Sequence, residues 1–274
     1  MAGSRTYRSR KYFDPRGREP FRVSRSKLDL FSECPRCAYL DLRLGVKRVQ
    51  GPPFTLNNAV DHLLKKEFDI HRARKHAHPL MEQYGIDAVP FEHPDLEKWR
   101  HNFTGVSYVD EGSNFEVFGA IDDVWLNSKG ELHIVDYKAT AKQTGPSTTD
   151  DLYDSYKRQM EIYQWLFRKN GFEVSDTGYF VYVNGRTDSE AFDGKLEFDV
   201  ALIPYNGDDS WVGGMLVRLR ETLTSDTVPD MGKSFSGGPC DYCSYREAAG
   251  TTIRTLYKDA PAKARGVPKK DTLF

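Results

Sequence analysis

Two short apolar runs, each delivering an acid, most constrain what this 274-residue chain can become. They are Phe115-Glu-Val-Phe-Gly-Ala-Ile-Asp122 and Leu132-His-Ile-Val-Asp136-Tyr-Lys138. Both read as β-strands, and Asn127-Ser-Lys-Gly130 between them reads as a turn. Residues two apart on a strand share a face, so Asp136 and Lys138 do. Which acid of the other strand joins them depends on the loop. An odd loop or a bulge sets Asp122 opposite Asp136, whereas an even loop slips the register by one and presents Asp123. The pattern alone leaves both open. Two carboxylates and a lysine on paired strands can hold a divalent metal beside a phosphate and position an attacking water, which is phosphodiester-cleaving chemistry. The same three residues, taken alone, also suit an ordinary solvated sheet face.

The rest of the chain sets the context. An apolar fraction of 39% and a charged fraction of 29% describe a soluble globular protein. No apolar stretch approaches the roughly 20 residues of a membrane helix. The polar, Arg-rich start lacks the apolar core of a secretory signal, so the expected location is the cytoplasm, with no membrane partner. A formal net charge of -1 announces no nucleic acid by itself. The charge is uneven, however. Arg5, Arg8, Arg10, Lys11, Arg16 and Arg18 crowd the start, and Lys258, Lys263, Arg265, Lys269 and Lys270 crowd the end. The expected organisation is a disordered basic tail over 1–20, a folded domain over 21–250 and a basic tail over 251–274.

Within that domain, Ser24 or Ser26 caps a short helix running toward Cys34, and Thr55 opens a longer one with Leu56, Ala59, Leu63, Leu64 and Phe68 near helical spacing. The mixed, Pro-containing stretch from about 76 to 112 holds a short helix. After the hairpin come a helix over Asp151–Phe167, strands at Gly178–Val183 and Leu196–Val200, and an amphipathic helix over Trp211–Leu223. That order specifies an α/β fold, a mixed central sheet flanked by helices.

Four cysteines form two Cys-x-x-Cys pairs, Cys34 with Cys37 and Cys240 with Cys243. Two such pairs are the ligand set of a tetrathiolate metal site, zinc as readily as iron–sulfur. A cytoplasmic setting argues against two disulfides.

The hairpin resembles the core of the PD-(D/E)XK nuclease superfamily in its RecB-like branch, which also includes CRISPR-associated and AddB-type exonuclease domains. Other segments resemble the same branch in order: Ser26-Lys-Leu-Asp-Leu-Phe-Ser-Glu-Cys34-Pro-Arg, Asn58-Ala-Val-Asp-His62 and Gln159-Met-Glu-Ile-Tyr163. The likeness spans roughly residues 24 to 246. It implies a restriction-endonuclease-like fold closed by the tetracysteine site. Asp122 and Asp136 would hold Mg or Mn, joined by the backbone carbonyl of Tyr137 and by His62. Lys138 would orient the attacking water, Gln159 would steady the lysine or the water, and Tyr163 would face the nucleic-acid backbone. It also implies a 4Fe-4S cluster on Cys34, Cys37, Cys240 and Cys243, with zinc as the alternative. The chain departs from the branch at Asn58, where glycine is usual, and between Ser244 and Gly250, where a last cysteine is expected. Cys37 stands in for that ligand.

The function so implied is metal-dependent DNA cleavage, exonucleolytic, in repair, recombination or CRISPR spacer processing. The partners are single-stranded DNA or duplex ends, with a helicase or CRISPR adaptation subunit as associates. The rivals are a catalytically idle nucleic-acid-binding subunit and an RNA nuclease.

Overall fold

The computed structural model describes residues 12–257 apart from 144, 146, 147 and 235. Arg5, Arg8, Arg10, Lys11 and the basic residues from Lys258 onward lie outside the described residues. Two compact units result, one of Phe13–Asp29 with Val49–Thr224, the other containing Leu30–Arg48 with residues 225–257.

The larger unit opens with β1 (Phe21–Ser24) and the start of α1 (Arg25–Glu33). The smaller unit takes α2 (Pro35–Leu42). The larger unit resumes with α3 (Thr55–Arg74), α4 (Pro79–Gln83), β2 (Ala88–Pro90), α5 (Leu96–Arg100), β3 (Val106–Asp110) and β4 (Phe115–Gly119). It continues through β5 (Asp123–Asn127), β6 (Leu132–Thr140), α6 (Asp154–Lys169), β7 (Thr177–Gly185), β8 (Phe198–Asn206) and α7 (Trp211–Thr224), and α8 (Asp241–Tyr257) completes the smaller unit. Five strands form a mixed sheet in the order β2-β5-β6-β7-β8, with β6 and β7 parallel and the other pairs antiparallel. Three more form a second sheet in the order β1-β4-β3.

The expected strand from Phe115 to Asp122 is in fact two. Its first half is β4, in the small sheet. The chain then crosses, and β5, beginning at Asp123, pairs with β6 in the large one. Packing explains the break. A Cβ on Gly119 would meet Tyr163 Cε1 at 2.5 Å, so β4 ends where an aromatic ring from α6 presses on a residue without a side chain. Ile121, in the crossing segment, is fully buried.

The turn of the hairpin decides its register. Asn127 Oδ1 accepts the N–H groups of Lys129 and Glu131 at 3.0 and 2.9 Å, and Asn127 N–H donates to Glu131 O at 3.0 Å. Gly130 takes φ +82°, the left-handed conformation that a three-residue loop needs. That odd loop pairs Asp123 with Val135 and sets Asp122, one step beyond, across from Asp136.

The two faces of the sheet carry different loads. Phe68 of α3 packs on Trp125, Val135, Tyr137, Val181 and Val183, its ring stacked on Trp125 at 5.4 Å. Truncating a fully buried Phe of this kind costs about 3–5 kcal/mol. On α6, Met160, Ile162, Leu166 and Phe167 are fully buried.

Two expected boundaries move. Phe13 is buried, its ring edge-on to Phe21 at 5.4 Å and to Phe115 at 6.2 Å, so ordered chain begins ahead of residue 21. At the other end α8 continues past residue 250 to Tyr257. Among the described residues no helix is long and apolar enough to cross a membrane.

Candidate functional site

Asp136 projects from the middle of β6 and is completely buried. Its Oδ1 accepts a hydrogen bond from Gln159 Nε2 at 2.5 Å. Its Oδ2 is ion-paired with Lys138 yet receives no aligned hydrogen bond. Lys138 Nζ in turn donates to Gln159 Oε1 at 3.3 Å and lies 4.5 Å from the centre of the Tyr156 ring. Only one orientation of the Gln159 amide satisfies both an acid and an ammonium, so this side chain sets the spacing of the two charged groups. Gln159 comes from α6, where the four-residue step to Tyr163 keeps both on one face. The Tyr163 hydroxyl lies 3.4 Å from Gln159 Nε2.

Asp122 stands at the crossing between the two sheets. Its Oδ2 accepts the Tyr137 N–H at 2.9 Å. The N–H and C=O of one strand residue point to the same side, so the Tyr137 carbonyl also faces the edge left free where β5 has not yet begun. Asp123, the rival from the sequence pattern, is turned into the interior with no exposure. There its Oδ1 receives Arg72 and Arg100, the latter at 3.0 Å, and its Oδ2 accepts the Tyr137 hydroxyl at 2.9 Å. Arg100 also donates from Nε to the Asp122 backbone carbonyl at 3.0 Å, and from Nη1 to both Asp69 oxygens at 3.0 Å. A buried ionic latch thus fixes the backbone on which Asp122 is mounted.

The structure also places two further expected residues. His62, expected as a metal ligand, is exposed on the wall of the cavity that Asp122 and Lys138 also line, and its neighbour Asp61 interacts directly with Asp122. Lys65 Nζ lies 2.9 Å from the Asp61 carboxylate and 3.2 Å from Asp122 Oδ1, bridging the two. Tyr163, read as facing a nucleic-acid backbone, is instead buried beneath Gln159. Sequence reasoning passed over Asp61, Lys65, Arg72 and Arg100. The four-residue spacing of Asp61 and Lys65 was a readable sign of a helical ion pair. Nothing local marked the arginines.

The electrostatics follow from burial and crowding. Burial pushes the Asp136 carboxyl up to about 6, against the pull of Lys138 and with the Asp122 charge adding to the rise. Asp61 is raised by burial and by the Asp122 charge, partly offset by Lys65. Burial acts to lower Lys65, but the Asp122 and Asp61 charges outweigh it and raise the ammonium overall. Arg25, at the start of α1, lies beside Tyr163 and adds positive charge toward Asp136. Three acids are drawn together, with Asp61 and Asp136 raised and Asp136 Oδ2 lacking an aligned donor. Hard oxygen donors of this kind suit Mg2+ or Mn2+. Asp61, Asp122 and Lys138 line a cavity of about 590 Å3 whose wall also carries Lys66, Asn57 and Asn102, while Asp136 lies buried behind Lys138.

All four cysteines belong to the smaller unit, are buried, and offer sulfurs within 4.8 Å of one another. Cys34 caps α2, with Pro35 at the first helical position, and Cys240 immediately precedes α8. Gly232 N–H donates to Cys34 Sγ at 3.1 Å, while Arg48 reaches Cys240 Sγ at 3.6 Å and Arg246 reaches Cys37 Sγ at 3.7 Å.

A mixed sheet flanked by helices is compatible with the fold of one nuclease superfamily. The chain belongs to the PD-(D/E)XK nuclease superfamily, whose sequence profile matches residues 22–248, and that membership implies a metal-dependent nuclease. No curated protein matches it. Among solved structures, one described as the crystal structure of SSO0001 is similar at 16% identity and a TM-score of 0.40, over 78% of this chain and 80% of that one.

Proposed function

We propose that this protein is a Mg2+- or Mn2+-dependent deoxyribonuclease that hydrolyses phosphodiester bonds, acting exonucleolytically at DNA ends in repair, recombination or CRISPR spacer processing. The observation that carries the reading is the convergence of Asp122 with the buried Asp136 and its ion-paired Lys138, which with Asp122 lines one open cavity. Asp122, Asp136 and Asp61 would hold the metal, with the Tyr137 carbonyl completing the inner edge. The bound metal supplies Lewis-acid polarisation of the phosphate and a lowered pKa for the attacking water.

The chain's own residues do the remaining work. Lys138 holds the water or the developing charge on the phosphate, at a position set by Gln159. Gln159 ties that lysine to Asp136, so the ammonium and the acid keep one spacing. Tyr163 acts through Gln159 and is a positioning residue. Arg100 and Asp123 keep the Asp122 backbone from shifting. Lys65 offsets the charge of Asp61 and Asp122, and the exposed Lys66 on the same wall makes the cavity receptive to a phosphate backbone.

The test is cleavage of end-labelled single-stranded DNA, duplex DNA and RNA by purified protein. Mg2+ or Mn2+ should support cleavage of DNA, while Ca2+ and excess EDTA should not. Asp136→Ala and Lys138→Ala should each lose about 100-fold or more with the circular dichroism spectrum unchanged. Full activity in either variant, or cleavage persisting in EDTA, would overturn the assignment. Cleavage confined to RNA would redirect it to that substrate.

A further inference from the structure

We infer that the four cysteines hold a single zinc ion, and that the 4Fe-4S cluster implied by the resemblance does not fit them. The argument is one of spacing. Cys34 Sγ lies 3.7 Å from Cys243 Sγ, and Cys37 Sγ lies 3.7 Å from Cys240 Sγ and 3.5 Å from Cys243 Sγ. All four sulfurs fall within 4.8 Å of one another. Four thiolates around one tetrahedral ion, with metal–sulfur bonds of roughly 2.3 Å, stand about 3.8 Å apart. Three of the six edges match that tetrahedron at 3.5–3.7 Å, and the other three stay within 4.8 Å. In a cubane cluster each thiolate binds a different iron. The four bonds then point outward from separate corners, and every sulfur–sulfur edge must add an iron–iron edge to the outward reach of two bonds. The space enclosed by these sulfurs takes one ion and not eight cluster atoms.

The local chain supports the same centre. Each Cys-x-x-Cys sits at a helix start, Cys34 and Cys37 on α2 and Cys240 and Cys243 on α8, so the clasp is built twice in the same way. The Cys37 N–H points at Cys34 Sγ, 3.4 Å away, and both helices aim their positive ends at the sulfurs. Four thiolates on one zinc leave a dianionic centre, which the guanidiniums of Arg48 and Arg246 neutralise. Zinc has no redox chemistry, so the site would be a staple for the smaller unit and would survive air unchanged.

The test uses the full chain expressed with both iron and zinc in the medium and purified once in air and once anaerobically, each sample analysed for zinc, iron and acid-labile sulfide. Both should contain about one zinc per chain, no labile sulfide and no visible charge-transfer absorption. X-ray absorption at the zinc edge should show only sulfur neighbours at about 2.3 Å. Replacement by Co2+ should give the visible bands of a tetrahedral thiolate site, and Cys243→Ser should lower zinc content. An anaerobic sample with about four irons and matching sulfide, or one that anaerobic reconstitution brings to that level, would overturn the inference. So would a protein free of both metals with four titratable thiols. The readout is metal content in the wild-type chain, so this inference can fail while the nuclease reading stands, and the reverse.

Discussion

The sharpest test of the candidate site separates two neighbours on α3. Asp61→Asn keeps the shape of the side chain and removes its charge. His62→Ala removes the imidazole one step round the helix. In the structure Asp61 shares Lys65 with Asp122, at 2.9 and 3.2 Å, whereas His62 is exposed on the cavity wall. Loss of one of three acids at a metal site should weaken metal binding by about 10- to 100-fold. At sub-saturating metal that appears as the same loss in rate, roughly 1.4–2.7 kcal/mol. The cost to folding should be much smaller. The Asp61 and Lys65 side chains retain 36% and 19% exposure, so the pair is partly screened and worth about 1 kcal/mol or less. For a chain of this size that shifts Tm by no more than about 4 °C. The assay is initial cleavage rate against Mn2+ concentration, with thermal melts in parallel. Asp61→Asn should move the metal half-saturation upward, and His62→Ala should leave the curve in place. A wild-type curve for Asp61→Asn together with a shifted one for His62→Ala would refute the placement of α3.

Other outcomes follow from the same geometry. Because burial raises the folded Asp136 pKa to about 6, its contribution to stability is fully present below the ordinary carboxylate range and is lost as pH rises through about 6. In chelator, the stability difference between wild type and Asp136→Asn should therefore move in favour of Asn across that window, and a pH-independent difference would contradict the buried placement. The metal needs the ionised acid, so with Mg2+ present cleavage should rise over the same pH range, and a flat profile there would argue against Asp136 as a ligand. Asp123→Asn removes the common partner of two buried arginines and should destabilise the fold by about 3–5 kcal/mol, read by denaturant unfolding. An unchanged midpoint would mean the latch contributes little. Gln159→Leu should lower kcat more than KM with little change in fold, since its amide joins Asp136 to Lys138, and a pure KM effect would place it in substrate binding instead.

Much of this protein was readable in one dimension. Apolar runs and helical spacing located β6, β7, α6 and α7, whose residues are largely buried, and also α3, although Leu56, Ala59 and Leu63 there are exposed and Phe68 carries its packing. Asp136 and Lys138 share a face through strand geometry alone, and two Cys-x-x-Cys pairs mark a candidate thiolate site before any fold is known. The choice between Asp122 and Asp123 was different in kind. It rests on a three-residue turn closed by Asn127 and on the close approach of Tyr163 to Gly119, which ends β4 and moves the chain to another sheet. A run of alternating residues cannot show that its two halves belong to different sheets. His62 and Asp61 differ by one step on a helix whose rotation is fixed by Phe68 packing on Trp125, a contact between distant segments. Arg72 and Arg100 carried no local signal, since only the fold brings them to Asp123. Ligand type is a property of residues and is written in the sequence. The rotation of a helix, the end of a strand and the distances among four sulfurs are set by packing between distant segments, and only the tertiary structure decides them.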